Sequence, residues 1–329
     1  MVAGTPILAA DLGYSSVKVA TPQGLFSFPS VVAQKPPMGA LTKRYETYAW
    51  NGEEYLVGED ALRFPHNIVE GKSEDASIVL GPLFLAKAFR EAAKRLGSGL
   101  EEVRPGVVAV SIAVNEYQKP VKVVFPSGEV LEGKKDELLE QVLRRFEVNG
   151  KVYEQDVVVL PQGKGIYYDV GAPERVLIID VGFKTIDILY LEKEEETPEV
   201  VYARGIKNQG VMTIADMVGK AVESATGIFL PLEEAERSLR EGSVLVEGKK
   251  VSLEEIVPIE QLKVQFIKRI LSIVEQDPNL SPLLGKVPVV LAGGGGYYVP
   301  ESFRDRIHVP EKPEYSNVRG FLKMIEGGE

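Results

Sequence analysis

Apolar positions along this chain follow two rhythms. Short continuous or alternating runs suit strands, and steps of three to four residues suit helices. Runs of the first kind fall near residues 6 to 11, 16 to 20 and 25 to 32, and a tyrosine-rich stretch follows from Tyr45 to Tyr55. Pro82 to Leu96 has helical spacing, with Leu83, Leu85, Ala86, Phe89 and Ala93 available for burial. Val107 to Val114 predicts a buried strand, residues 136 to 146 a helix, residues 151 to 160 a strand, and residues 161 to 170 a connection. Val211 to Glu223 and Val264 to Glu275 predict helices, and Pro288 to Ala292 a strand. The charged run Glu192 to Glu196 predicts a solvated turn. Alternating strands and helices of this kind belong to the α/β class.

One pattern occurs twice. Ala-Ala-Asp11-Leu-Gly13-Tyr14-Ser15-Ser16-Val-Lys18-Val is matched without gaps by Ile-Ile-Asp180-Val-Gly182-Phe183-Lys184-Thr185-Ile-Asp187-Ile. Each copy predicts a β-hairpin with a charged turn. Glycine permits positive φ and brings backbone N–H groups close to a ligand, and successive amides suit an anion. An aspartate at the end of the first strand points into the same space, where it can hold a divalent cation directly or through water. Two such hairpins facing each other would make a phosphate clamp. A third element is the strand ending at Ala292, which runs into Gly293, Gly294, Gly295 and Gly296, then Tyr297 and Tyr298. Such a loop lets a sugar or base lie against backbone.

Acidic hairpin, acidic hairpin and glycine loop, in that order over almost the whole chain, resemble the actin, sugar kinase and heat-shock chaperone ATPase superfamily. Within it the ParM-type actin-like proteins of prokaryotes, including plasmid-segregation and archaeal forms, are most similar. Ser111-Ile-Ala-Val114-Asn115-Glu116-Tyr117 resembles that family's strand before its connecting segment. Leu160-Pro161-Gln162-Gly163 resembles the first connecting segment and Gly210-Val211 the second. Leu232 to Arg237 resembles the nucleotide-facing helix, and Asn317-x-x-Gly320 the closing helix. Gln162 departs from the glutamate frequent in ParM-type plasmid proteins. A glutamine orients water by donating and accepting hydrogen bonds but is no general base at neutral pH.

The resemblance implies two actin-like, ribonuclease H-like α/β domains with a nucleotide cleft between them. Domain I would span residues 1 to 172 with a return segment over 310 to 329, and domain II residues 173 to 309. It implies ATP or ADP with Mg²⁺ as ligands, and ATP hydrolysis to ADP and phosphate coupled to polymerisation, with GTP left open. Asp11 and Asp180 would hold the metal, mostly through water, and Asp180 with Gln162 would position the attacking water. Lys18 would reach the β- and γ-phosphates as a compact charge. Gly13, Tyr14, Ser15, Ser16, Gly182, Phe183, Lys184 and Thr185 would present donors to phosphate oxygens. Gly293 to Gly296 would hold the nucleoside, Glu236 the ribose, and Tyr297 and Tyr298 would flank the base. Self-association into filaments is the implied partnership, with a DNA-binding adaptor protein as an open link to cargo.

Composition narrows the alternatives. At 329 residues the chain exceeds the size at which one core keeps growing, so two domains are expected. A net charge of −10 argues against direct nucleic-acid binding, and no apolar run has the length of a membrane span. The stretch Pro6 to Ala10 is expected as a strand and not a leader, and a cytoplasmic protein is the simplest reading. With no cysteine, thiol chemistry drops out, and His66 and His308 lack metal-ligand spacing. Two other readings stay open: a small-molecule kinase using Asp187 as base, and a membrane-associated or chaperone-like switch, for which Val318 to Ile325 is a short and weak anchor.

Overall fold

The computed structural model describes residues 7–37, 45–69, 76–96, 102–194 and 197–327. Its internal contacts divide the chain into two units, Met1–Asp169 with Asn317–Glu329, and Val170–Ser316. The sequence reading put these crossings at 172/173 and 309/310. By contacts the later crossing lies at 316/317, because residues 310 to 316 stay with the second unit, where the Gly293 N–H donates to the Pro313 carbonyl at 3.0 Å.

The first unit begins with the strands β1 (Ile7–Leu12), β2 (Ser16–Thr21) and β3 (Gly24–Pro29), then β4 (Val32–Gln34), β5 (Tyr48–Trp50) and β6 (Glu53–Val57). Helix α1 (Ala76–Leu96) leads to β7 (Val107–Ile112), the hairpin β8 (Pro120–Val124) and β9 (Val130–Lys134), and α2 (Lys135–Arg144). The strands β10 (Arg145–Val148), β11 (Lys151–Glu154) and β12 (Asp156–Pro161) and the short helix α3 (Lys164–Asp169) follow. The main sheet has the order β12-β7-β1-β2-β3. β1 runs parallel to β7 and antiparallel to β2.

Three local readings are corrected here. Helix α1 starts at Ala76 and carries Pro82 inside it, not at its start. A proline there removes one backbone hydrogen bond, and burial of Ile78, Leu83, Leu85, Ala86 and Phe89 holds the helix through it. The stretch 151 to 160 is two strands, broken at Gln155, whose buried amide donates to the Leu143 carbonyl while β11 pairs with β10 and β12 with β7. The connection after Pro161 contains α3.

The second unit contains β13 (Arg175–Val181), β14 (Thr185–Glu194), β15 (Thr197–Lys207), α4 (Val211–Thr226), α5 (Leu232–Glu241), β16 (Ser243–Val246), β17 (Lys249–Ser252), α6 (Leu253–Ile256), α7 (Ile259–Glu275), β18 (Val289–Ala292) and β19 (Ile307–His308). Glu195 and Glu196 of the charged run lie outside the described residues. Helix α7 begins five residues before its predicted start, with Ile259 extending the buried stripe of Phe266, Ile267, Ile270 and Val274. The sheet order is β15-β14-β13-β18-β19. The repeat is thus wider than the hairpin. In both sheets a central strand has an antiparallel hairpin on one side and a parallel strand on the other.

The last helix, α8 (Ser316–Gly327), returns to the first unit against α3. A Cβ on Gly320 would lie 1.6 Å from the Gly165 carbonyl oxygen, so this is backbone against backbone. Asn317 accepts from the Gly163 N–H at 2.8 Å, and the Arg319 guanidinium holds the Asp169 carboxylate at 3.0 Å.

Candidate functional site

In the first unit four side chains converge at the end of β1. The register sets Asp11 opposite Lys18 on β2 and Ser111 on β7. The buried Asp11 carboxylate accepts from Ser111 Oγ at 2.6 Å and Gln162 Nε2 at 2.8 Å, both on Oδ1, and from Lys18 Nζ at 3.0 Å on Oδ2. Burial pushes this carboxyl up. The Lys18 charge and the hydrogen bonds from Ser111, Lys18 and Gln162 outweigh it and hold Asp11 below the usual aspartate value. Gln162 is set by its own N–H on the Ile112 carbonyl at 2.7 Å, and by Gly163, whose φ of +92° turns the chain into α3.

The hairpin turn is tied down by Ser30, whose hydroxyl donates to the Gly13 carbonyl at 2.6 Å and whose N–H donates to Ser15 at 3.2 Å. A Cβ on Gly13 would lie 2.8 Å from the Ser16 carbonyl oxygen and 3.0 Å from Lys18 Nζ, so glycine lets the turn close tightly beside the Lys18–Asp11 pair. Tyr14 and Ser15 form an exposed tip, and Ser16 begins β2.

The second hairpin repeats the frame with other charges. Asp180 faces Asp187 across β13 and β14, and Ala292 stands beside Asp180 where Ser111 stands beside Asp11. Both aspartates are buried. The turn has a job of its own. Gly182 and Phe183 carbonyls accept from Val211 and Met212, each at 2.9 Å, so the hairpin closes the N-terminus of α4 without any capping side chain. Gly210 must be glycine for this, since a Cβ would lie 2.2 Å from the Gly182 oxygen. The Gly182 N–H is committed to Thr185, and Phe183 packs on the apolar core of the second unit. Lys184 is half-buried at the turn.

The glycine loop touches this hairpin. Gly293 has a φ of +74°, and a Cβ there would fall 2.4 Å from Asp180 Oδ1. On Gly295 it would meet Val181 at 2.4 Å, and on Gly296 Pro313 at 2.7 Å. Three of the four glycines are therefore required by packing inside the unit, and Gly294 alone has space. Tyr298 belongs to the core. Burial first, then the nearby Glu236 charge, pushes its phenol up to about 12. Glu236 also pairs with Arg240 at 3.6 Å. Tyr297 is exposed, and its hydroxyl donates to Glu314 at 2.6 Å.

Sequence reasoning placed Asp11, Lys18 and Gln162 in one site, and the structure brings them together with Ser111 as a fourth member. Ser111 escaped because its closeness to Asp11 is a matter of strand register between residues far apart in the chain. Among the described residues no three acidic or histidine side chains gather around one point. Among the described residues no helix is long and apolar enough to cross a membrane.

Residues 178–305 match the family model for the C-terminal part of archaeal MreB-like actin homologues. No curated protein matches the chain. Among solved structures, the actin-like protein Alp7A aligns with a TM-score of 0.73 at 13% identity, covering 98% of this chain and 97% of that one. A 15-stranded ParM filament from Clostridium botulinum aligns at 0.66 and 17% identity, with 98% and 99% covered. An archaeal actin homologue in complex with ADP aligns at 0.64 and 18% identity, also with 98% and 99% covered. At such identities the likeness carries the fold alone, so the chain has an actin-like fold over nearly its whole length, and its residues 178–305 match the archaeal MreB-like actin-homologue family model.

Proposed function

We propose that this protein is a nucleotide-dependent, filament-forming actin-like ATPase. The observation that carries the reading is the cluster of Asp11 and Lys18 on the first hairpin with Ser111 and Gln162 beside it, in a sheet whose topological twin has Asp180 close against Gly293. A lysine, an acid and an amide able to orient water, gathered at one strand end, suit phosphoryl transfer, because its catalysis is mostly positioning and charge stabilisation. The neighbouring archaeal homologue solved with ADP supports a nucleotide ligand, and the ParM filament supports self-association.

In this reading Lys18 neutralises phosphate oxygens, and Asp11 keeps it in place between turnovers. Gln162 orients the attacking water, and Asp180 shares that task from the second hairpin. Gly13 to Ser16 and Phe183 to Thr185 line the phosphates, while Gly294, Tyr297 and Glu236 stand at the nucleoside end. Magnesium, when bound, would supply charge neutralisation across the phosphates, with Asp11 and Asp180 holding it through water. The net charge of −10 favours an adaptor between any filament and DNA. The kinase reading is weakened by Asp187, whose carboxyl is buried opposite Asp180 and so poorly placed to meet an acceptor hydroxyl.

The test is light scattering and pelleting with magnesium and ATP, GTP, ADP or no nucleotide, with phosphate release followed in the same tube. Triphosphate-dependent polymer followed by phosphate is expected. Hydrolysis without polymer at any protein concentration would overturn the filament claim and leave the nucleotide site standing.

A further inference from the structure

We propose that Ser111 is a positioning residue for hydrolysis, acting through Asp11 to fix which end of the Gln162 amide meets the water. The inference rests on the nucleotide-hydrolysis reading above and goes one step deeper into the same site.

Asp11 is paired with the Lys18 ammonium, so its oxygens accept and do not donate. Whatever approaches Oδ1 must bring a hydrogen. Ser111 brings its hydroxyl at 2.6 Å and Gln162 its NH₂ at 2.8 Å. The glutamine is thereby turned with nitrogen towards Asp11, and its carbonyl oxygen is the end not committed there. A water held by that carbonyl donates to it, which leaves a lone pair of the water free to face phosphorus. The opposite rotamer would offer NH₂ to a lone pair of the water and leave the water's hydrogen without this acceptor. Amide direction therefore decides whether Gln162 helps or obstructs.

Ser111 matters because it fixes the carboxylate. Lys18 holds Oδ2 from the β2 side and Ser111 holds Oδ1 from the β7 side, so the carboxylate plane is gripped from both neighbouring strands. Ser111 is buried and sits on a central parallel strand, where it cannot swing away as Gln162 can from its turn. The second hairpin has Ala292 at the corresponding position, so the hydroxyl is particular to the half that carries the glutamine.

The experiment uses the full chain and the variants Ser111→Ala, Ser111→Thr and Gln162→Glu. First, the nucleotide-free protein is labelled with ¹⁵N in its glutamine side chains, and the Gln162 amide pair is identified by its loss in Gln162→Glu. Ser111→Ala should shift that pair and Ser111→Thr should return it towards the wild-type position. Second, fluorescent-nucleotide binding and single-turnover phosphate release are measured side by side. Ser111→Ala should slow release by about ten- to a hundredfold, the scale of a small misplacement of a reacting group, with nucleotide affinity nearly unchanged and recovery in Ser111→Thr. An unmoved Gln162 amide in Ser111→Ala, or wild-type release from that variant, overturns the proposal. So does loss of binding in step with loss of release, which would make Ser111 merely structural. A wild-type protein that binds no nucleotide would instead sink the underlying reading, and the amide shift would still decide whether Ser111 sets Gln162.

Discussion

Replacing Gly320 by alanine places a methyl group where there is no room. The new Cβ would sit 1.6 Å from the Gly165 carbonyl oxygen, 2.5 Å from its carbon and 3.0 Å from the Asp169 nitrogen, all of them backbone atoms that cannot rotate aside. A tolerable C···O approach is about 3.3 Å, so α8 must withdraw from α3 by roughly 1.5 Å. That movement breaks the 2.8 Å bond from the Gly163 N–H to Asn317 and strains the Arg319–Asp169 pair. Overpacking of this kind costs about 1–3 kcal/mol, and one buried hydrogen bond adds about 1 kcal/mol. The first unit should therefore lose about 2–4 kcal/mol, which for a body of this size lowers Tm by roughly 5–15 °C. Thermal and urea unfolding followed by circular dichroism would measure it, with Gly327→Ala as control because nothing lies within 4 Å of a Cβ there. The same change loosens the turn that carries Gln162, so phosphate release should fall even well below the melting temperature. A Gly320→Ala protein melting within a degree of the wild type would refute the backbone contact as described.

Other perturbations separate the roles of neighbouring residues. Asp11 has a lowered pKa, so its contribution to stability is present above the unfolded aspartate value of 3.8 and disappears as pH falls through the folded value. Lys18→Met removes the Lys18 charge and hydrogen bond and leaves Ser111 and Gln162 to oppose burial at Asp11. The stability gap between wild type and that variant, from urea unfolding followed by tryptophan fluorescence, should be largest near neutral pH and shrink as pH falls below the aspartate range, and a gap independent of pH would contradict the pairing. Asp180→Ala should abolish phosphate release, whereas Gln162→Ala should slow release more than it weakens fluorescent-nucleotide binding, by on the order of 10² or more; equal loss of binding in both would contradict their separate tasks. Gly293→Ala combines a φ of +74° with a 2.4 Å clash on Asp180 Oδ1. It should reduce both Tm and nucleotide affinity, and a variant with unaltered affinity would detach the glycine loop from the site.

The hairpins were legible because Asp-x-Gly within alternating apolar residues is a local pattern, and its recurrence exposed the duplication. What the sequence hid was nonlocal or had a second cause. Ser111 lies about a hundred residues from Asp11, and only the parallel register of β1 and β7 sets them side by side. The glycines after Ala292 were read as room for a nucleoside. Gly293, Gly295 and Gly296 are already forced by Asp180, Val181 and Pro313, and a run of identical letters cannot tell one cause from the other. Tyr298 looked like a partner of Tyr297 at a base, but the two point to different environments, one core and one exposed. The start of α1 was obscured by Pro82, whose usual meaning is overruled by the apolar packing around it.

The seal between the second hairpin and α4 has a mechanical consequence. Because the carbonyls of Gly182 and Phe183 are the anchor points for the first two amides of that helix, the turn and the helix form a single lever. The helix so anchored has 16 residues and is about 24 Å long at 1.5 Å per residue. A shift of the turn would therefore be felt by a helix that packs against both α5 and α7, without any residue of those helices touching the turn itself.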